Sequence, residues 1–302
     1  MSEEAKPPVA ADAAAPKPEA PAPKPDEATT PIQQLWATAK AHAHAEIWGV
    51  TLADPETHVP SQIVLQKYLN ANDGDIVKAR EQLTATLAWR AKMQPLELVK
   101  RSFSSAKFGG LGYVTTYGET GQDANADPEA REVFTWNIYG GVKSMEETFG
   151  DLEEFMRWRV ALMELAVQEL SLASATKPIT ASWDPYKIFQ VHDYRSISFL
   201  RPSPVVKAAS TETIRVFATA YPELLKEKFF VNVPAIMGFM YGLIKLFVAP
   251  KTIKKFHPMS NGAGLALEFP DSKVPALGER LPVEYGGKGK DLKTQGTEPS
   301  VE

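Results

Sequence analysis

Residues 221–256 read YPELLKEKFFVNVPAIMGFMYGLIKLFVAPKTIKKF. Phe229 to Val233 is a short run of aromatic and β-branched residues, the pattern of a buried strand. Pro234 stops it. Ala235 to Val248 is then apolar nearly all round, and a helix without a polar face must be buried or meet lipid. Pro250 breaks that helix, and Lys251, Lys254 and Lys255 supply a cationic end. Periodicity alone is satisfied by a core helix. The sharper reading is a movable lid over an apolar cavity, its basic end able to meet anionic headgroups. It is not a membrane span, because Asn232, Pro234 and Lys245 leave no run of about 20 apolar residues.

Working outward, strand and helix patterns alternate. Tyr113 to Tyr117, Val133 to Tyr139, Lys187 to Ser198 and Lys228 to Val233 read as strands. Leu152 to Leu172 and Ser210 to Tyr221 read as helices. That alternation predicts an α/β fold with crossover helices between strands. The Gly-rich stretch Gly109 to Gly112 lacks both the Lys-Ser/Thr of a nucleotide loop and the later Gly of a dinucleotide fingerprint.

Pro31 to about Gln94 is helical by pattern, with Thr30-Pro31 as a helix start and Asp73 or Asp75 as a later cap. The expected organisation is a tail over 1–30, a small all-α domain over 31–105, a ligand-binding α/β domain over 106–287 and a flexible polar tail over 288–302. The first tail is Ala/Pro-rich and has too little apolar surface to offset its ordering entropy. His42 and His44 do not share a helix face and read as surface residues; His58 reads as a loop residue.

The 33 basic and 37 acidic residues give a net charge of −4, which argues against a nucleic-acid binder. The absence of Cys excludes disulfides, zinc–thiolate and iron–sulfur sites, and a thiolate haem ligand. Met1 to Thr30 lacks the apolar core of a signal peptide, so a cytoplasmic location with peripheral membrane contact is expected. There is no Gly-x-Ser-x-Gly elbow, zinc motif or nucleotide loop, so nothing points to an enzyme.

The most informative short stretch is Ile188 to Arg195, IFQVHDYR. In a strand, Ile188, Gln190, His192 and Tyr194 share one face. A cavity lined by an imidazole and a phenol suits a guest other than an acyl chain. Tyr can ligate ferric haem as phenolate, and a nearby Arg favours that form. An ordinary hydrogen-bonded core accounts for the same two residues.

Several stretches resemble the CRAL-TRIO lipid-transfer family: Tyr221-Pro222-Glu223, Val231 to Pro234, Leu243-Ile244-Lys245, Lys251 to Lys255, and Leu281 to Gly287 as the closing motif. Leu65 to Leu69, Asp75 to Ala79 and Leu87 to Arg90 resemble the small helical domain that precedes it, although that domain usually carries Arg where this chain has Asn70 and Asn72. The resemblance implies a CRAL-TRIO lipid-binding fold, a mixed sheet with crossover helices, in which the apolar helix after Pro234 gates a lipid pocket. Ile188 and Gln190 stand where small hydroxyls line the phosphatidylcholine headgroup in the general family, a departure that argues against phosphatidylcholine. Glu223 and Lys255 match the positions that hold the inositol headgroup of phosphatidylinositol.

Trp136 to Gly140, Phe155 to Glu164, Val191 to Tyr194 and Tyr221 to Pro234 are similar to a fungal phosphatidylinositol-transfer branch of that family whose members bind haem. The similarity runs from about Trp48 to Phe269. Carried over, it implies haem b as cofactor, Tyr194 as axial ligand of the iron and His192 beside it. Tyr139, Arg159 and Lys228 would line the site, the two cations as partners of haem carboxylates or of the phenolate. On the residues alone, Arg159 reads as a surface ion pair and Lys228 as a solvated strand end. The resemblance further implies association with endoplasmic reticulum or microsomal membranes and a link to phosphoinositide homeostasis or oxidant stress. A lipid carrier with His192 and Tyr194 as core residues is the alternative.

Overall fold

The computed structural model describes residues 29–118, 127–195, 203–233 and 250–302. The expected gating helix, Ala235 to Val248, lies outside the described residues.

Three helices open the described chain: α1 (Pro31–Lys40), α2 (Val59–Ala71) and α3 (Ile76–Met93). Thr30 accepts the Gln33 amide and Pro31 occupies the first turn, as the sequence predicts. Asp75, rather than Asp73, caps α3 by accepting the amides of Val77 and Lys78. A two-stranded hairpin, β1 (Glu46–Ile47) and β2 (Val50–Thr51), was not legible in advance. Its turn puts Trp48 (φ 57°) and Gly49 (φ 80°) in the left-handed region, the backbone that two-residue hairpin turns demand.

Three short helices, α4 (Pro95–Leu98), α5 (Ser105–Phe108) and α6 (Met145–Phe149), surround two strands, β3 (Gly112–Gly118) and β4 (Arg131–Ile138). Then come helix α7 (Leu152–Glu169), strand β5 (Ile188–Asp193), helix α8 (Pro204–Ala220), and strands β6 (Leu225–Val231) and β7 (Phe256–Met259). The sheet order is β3-β4-β5-β6-β7. β3 is antiparallel to β4, and β4 to β7 run parallel. This is the predicted α/β sheet with crossover helices. Two details differ from expectation. β5 stops at Asp193 instead of reaching Ser198, and a fifth strand, β7, is present whose four residues include Pro258. Pro reads as a strand breaker, and is tolerated here on an edge strand.

The sheet has two unlike faces. Phe134, Trp136, Phe189, Val191, Phe229 and Val231 bury on the outer face against Leu265, Phe269, Leu281 and Tyr285 of the C-terminal segment. The inner face lies under α7, where Val133 and Ile188 join a core with Phe155, Trp158 and Leu162. The helical and α/β parts are joined by buried ions. Arg90 pairs with Glu164 at 2.7 Å and Glu46 at 2.8 Å. Lys67 Nζ donates to Asp184 and to the carbonyls of Tyr186 and Glu223.

The expected loose tail over 288–302 is instead part of the fold. Val114 and Thr297 exchange backbone hydrogen bonds of 2.8 and 2.9 Å, and Phe103 and Glu302 are joined at 2.9 Å. The reason is that β3 is an edge strand, and its outward N–H and C=O groups need partners. The polar composition of the tail hid this backbone role.

Candidate functional site

In open parallel sheets, ligand-binding residues gather at the carboxyl ends of the strands. His192 sits at that end of β5 and Tyr194 one residue beyond it; Tyr139 follows the last residue of β4 directly. Their rings meet: Tyr139 lies 5.4 Å from His192 and 5.5 Å from Tyr194 between centroids. Phe230, which was not singled out from sequence, closes the group at 5.6 Å from His192 and 6.3 Å from Tyr194. The Lys228 ammonium stands 5.4 Å from the Phe230 ring. Arg159 comes from α7 and lies 4.7 Å over Phe217 of α8. Its side chain is fully buried, so the surface ion pair expected on residues alone is not what this residue makes. Lys228 is partly buried within β6, not at a solvated strand end.

Register brings polar side chains across the inner face. Thr135, Gln190 and Lys228 are aligned on adjacent strands, as are Asn137, His192 and Phe230. The floor expected to be apolar is therefore largely polar. Among the described residues, Thr135 Oγ1, Asn137 Oδ1, His192 Nε2, and Arg159 Nε and Nη1 have no hydrogen-bond partner. Buried polar atoms are satisfied in the great majority of cases, so five such atoms clustered at the inner face make it the candidate place for a polar guest. Thr135 and Asn137 carried a signal that sequence reading passed over: they alternate with Tyr139 in the strand pattern.

The electrostatics have one sign. Burial depresses the Arg159 pKa, and the Tyr139 phenol beside it only partly opposes this. Burial and the Arg159 charge bring the Lys228 ammonium down to about 7. His192 is held well below the usual imidazole range by burial, then by Lys228 and Arg159. Burial raises the Tyr194 phenol, with Tyr139 adding to the rise and Arg159 opposing it. Among the described residues, neither Arg159 nor Lys228 is paired with a carboxylate. A donor set of this kind fits a guest that brings its own negative charge. It fits haem: two cations for carboxylates, a phenol for ferric iron and aromatic rings for the flat faces.

Glu223 and Lys255 are elsewhere. Both lie by the amino end of β6, where Lys255 Nζ donates to the Leu225 carbonyl at 2.8 Å. Burial lowers the Lys255 pKa while Glu223 opposes this. Lys251 also reaches Glu223, at 3.7 Å, and Asp73 at 3.1 Å. At roughly 3.3 Å per residue, the length of β6 puts on the order of 20 Å between this pair and Tyr194. The sequence candidates thus form two groups, one at each end of the parallel strands. His42 Nδ1 and the His44 amide are in contact, and His58 Nδ1 meets Ser61; none of the three joins either group.

Residues 124–287 match the CRAL/TRIO domain family. A Chaetomium globosum protein called phosphatidylinositol transfer protein SFH5 is 75% identical over 273 residues, 90% of this chain and 62% of the relative. The chain thus spans somewhat less than two thirds of that relative. The Neurospora crassa protein of the same name is 61% identical over 272 residues, again 90% of this chain and 75% of the relative. The crystal structure of Sfh5 superposes with a TM-score of 0.69 at 26% identity, covering 92% of this chain and 95% of that one. The relatives are named as transfer proteins, not as enzymes. A sheet of this order under α7, two carboxyl-end aromatic ligand candidates and these similarities lead to one assignment: the chain belongs to the CRAL/TRIO domain family, alongside the fungal SFH5 proteins.

Proposed function

We propose that this chain carries phosphatidylinositol between membranes and that the inner-face recess also takes haem b through Tyr194. The observation that carries the haem reading is the uncompensated set of Arg159, His192 and Lys228 beside two phenols. Haem supplies a ferric iron for which a phenolate is an established ligand type. Tyr194 would lose its proton to solvent to serve; burial and then Tyr139 hold that phenol up and Arg159 opposes them, so the charge of a bound ferric ion would supply the remaining pull. His192, kept neutral, offers a lone pair or an N–H on the same side. Arg159 and Lys228 would pair with the two carboxylates, and Tyr139 and Phe230 would lie against the ring.

The lipid reading rests on the names of the relatives and on Glu223 and Lys255. Lys255 would neutralise the phosphate while Glu223 accepts hydrogen bonds from ring hydroxyls. Burial of acyl chains, at about 25 cal/mol per Å², makes release into water slow, so exchange takes place at a membrane. In this reading the protein is cytoplasmic, visits endoplasmic reticulum or microsomal membranes peripherally, and ties phosphoinositide homeostasis to haem or oxidant stress. No helix among the described residues is long and apolar enough to cross a membrane.

The deciding experiment is the absorption spectrum of the full chain purified from cells supplied with haem. A Soret band that Tyr194→Phe removes or strongly alters supports the proposal. No band rejects the haem reading and leaves a lipid carrier with His192 and Tyr194 as core residues. Glu223→Ala with Lys255→Ala should abolish phosphatidylinositol transfer between vesicles while haem binding persists; loss of both together would refute a separate headgroup site.

A further inference from the structure

The closing motif, Leu281 to Gly287, makes no part of either ligand group, yet one of its side chains reaches the strand that bears them. Tyr285 packs on the outer face of the sheet, 4.7 Å from the Trp136 ring. Its hydroxyl donates to Asp193 Oδ2 at 2.9 Å. Asp193 is the last residue of β5 and is buried. Its Oδ1 accepts from the Arg195 amide and from Asn232 Nδ2, both at 2.8 Å. Asn232 Oδ1 in turn accepts the Gly262 amide at 2.8 Å, and Asn232 holds a left-handed backbone (φ 58°).

These contacts matter because the β4–β5 register ends at Asp193, opposite Ile138. Tyr194 lies past that end, where nothing in strand pairing with β4 fixes which way its side chain points. Among the described residues, three backbone contacts hold the chain there. The Tyr194 amide donates to the Val231 carbonyl at 3.1 Å. The Asp193 carboxylate holds the next amide. Gly140 lets the Arg195 carbonyl approach so closely that a Cβ at Gly140 would stand 2.0 Å from it. Of these, the Asp193 carboxylate is the one joined to both the outer-face segment and the end of β6.

We propose that Asp193 is a positioning residue, which with Tyr285 and Asn232 sets the Tyr194 phenol toward the inner face. The closing motif then has a role in ligand binding that it exerts from the opposite side of the sheet. This inference rests on the reading that Tyr194 contacts the bound guest. Partners that orient a metal ligand typically contribute about 10–100-fold in affinity.

The test uses the full chain with ring-labelled tyrosine, in wild type, Asp193→Ala, Asp193→Asn and Tyr285→Phe, with the Tyr194 resonance assigned from its loss in Tyr194→Phe. In ligand-free protein, Asp193→Ala should shift or broaden the Tyr194 resonance while that of Tyr68, in the helical domain, stays in place. Haem titration should show about 10–100-fold weaker binding and an altered absorption band. Asp193→Asn, which keeps an acceptor for the Arg195 amide, should recover part of both. A folded Asp193→Ala with unchanged Tyr194 resonance and unchanged haem affinity overturns the proposal. If Asp193→Ala does not fold, Tyr285→Phe decides: unchanged resonance and affinity there overturn it equally. A wild type that binds no haem removes the haem reading, while the ligand-free resonances still decide whether Asp193 orients the phenol.

Discussion

Arg159 is a buried cation that the ligand-free protein leaves under-satisfied. It is fully buried, Nε and Nη1 have no partner among the described residues, and its guanidinium rests 4.7 Å over Phe217. An unsatisfied buried donor costs about 1–3 kcal/mol, more when the group is charged. Two such atoms therefore destabilise the fold by at least about 2 kcal/mol, and the cation–π contact returns about 0.5–2 kcal/mol. Methionine keeps an unbranched apolar stem and adapts to irregular space. The difference leaves a net cost of about 1 kcal/mol, so Arg159→Met should raise the stability of the ligand-free protein by about 1 kcal/mol, where an ordinary point substitution lowers it by about 1 kcal/mol. The assay is urea unfolding of stripped full-length protein followed by Trp fluorescence, read as a higher midpoint at unchanged slope. The same variant should lose haem affinity by at least about tenfold, the signature of a group kept for binding at the expense of stability. A variant as stable as wild type, or less so, would refute the reasoning, since it would mean that Arg159 is already satisfied in the ligand-free state.

Lys228 titrates near 7 when folded and at 10.5 when unfolded. The unfolded chain therefore binds the extra proton between these values, and ligand-free stability should rise as pH climbs from about 7 toward 10. Lys67, brought down to about 8 by burial, adds to the rise above pH 8, so Lys228→Met should flatten the change in denaturant midpoint chiefly between pH 7 and 8; an identical slope in both proteins counts against a lowered Lys228. Glu164 is buried between Arg90 at 2.7 Å and the Tyr221 hydroxyl at 2.6 Å, so Glu164→Leu should cost about 1–3 kcal/mol by unpairing the Tyr221 hydroxyl and one edge of Arg90, whose other edge stays on Glu46, measured by chemical unfolding. Lys67→Met removes the donor shared by Asp184 and two carbonyls, while Lys187 stays 3.4 Å from Asp184, and should cost a similar amount; less than about 1 kcal/mol would show that this ion is not what docks the helical part on the sheet.

Much of the sheet was legible because its strands are buried on both faces and flanked by helices, so hydrophobic runs and crossover patterns agree. Phe134, Trp136, Phe189 and Val191 announce such strands, whichever face they point to. What failed to show were features set by backbone groups and not by side-chain pattern. The polar end of the chain gives no hint that Thr297 pairs with Val114, and β7 is too short and too Pro-marked to read as a strand. At the site, His192 and Tyr194 stood out because an imidazole and a phenol are unusual on a core strand. Asp193 did not, because its importance comes from partners at 232 and 285 that only the fold brings to it. Thr135 and Asn137 pass as ordinary strand residues until register sets them beside Gln190 and His192.

The two ends of β6 make opposite demands on whatever fills the recess. At its amino end Lys251 and Lys255 stand by Glu223, so in the proposed reading one carboxylate leaves a cation there for a headgroup of one negative charge with several hydroxyls. Around the carboxyl end the described cations are uncompensated, and an apolar acyl chain laid against Arg159 and Lys228 would keep them from water without pairing them. Burying an unpaired charge is far more costly than burying a CH₂ is favourable. In the proposed reading a lipid guest would therefore compete under a handicap that a dicarboxylate guest does not meet. Removing the cations should reverse the ranking: Arg159→Met with Lys228→Met should weaken haem and strengthen phosphatidylinositol retention in the same protein. Parallel loss of both ligands would instead make those cations part of the scaffold that either guest requires.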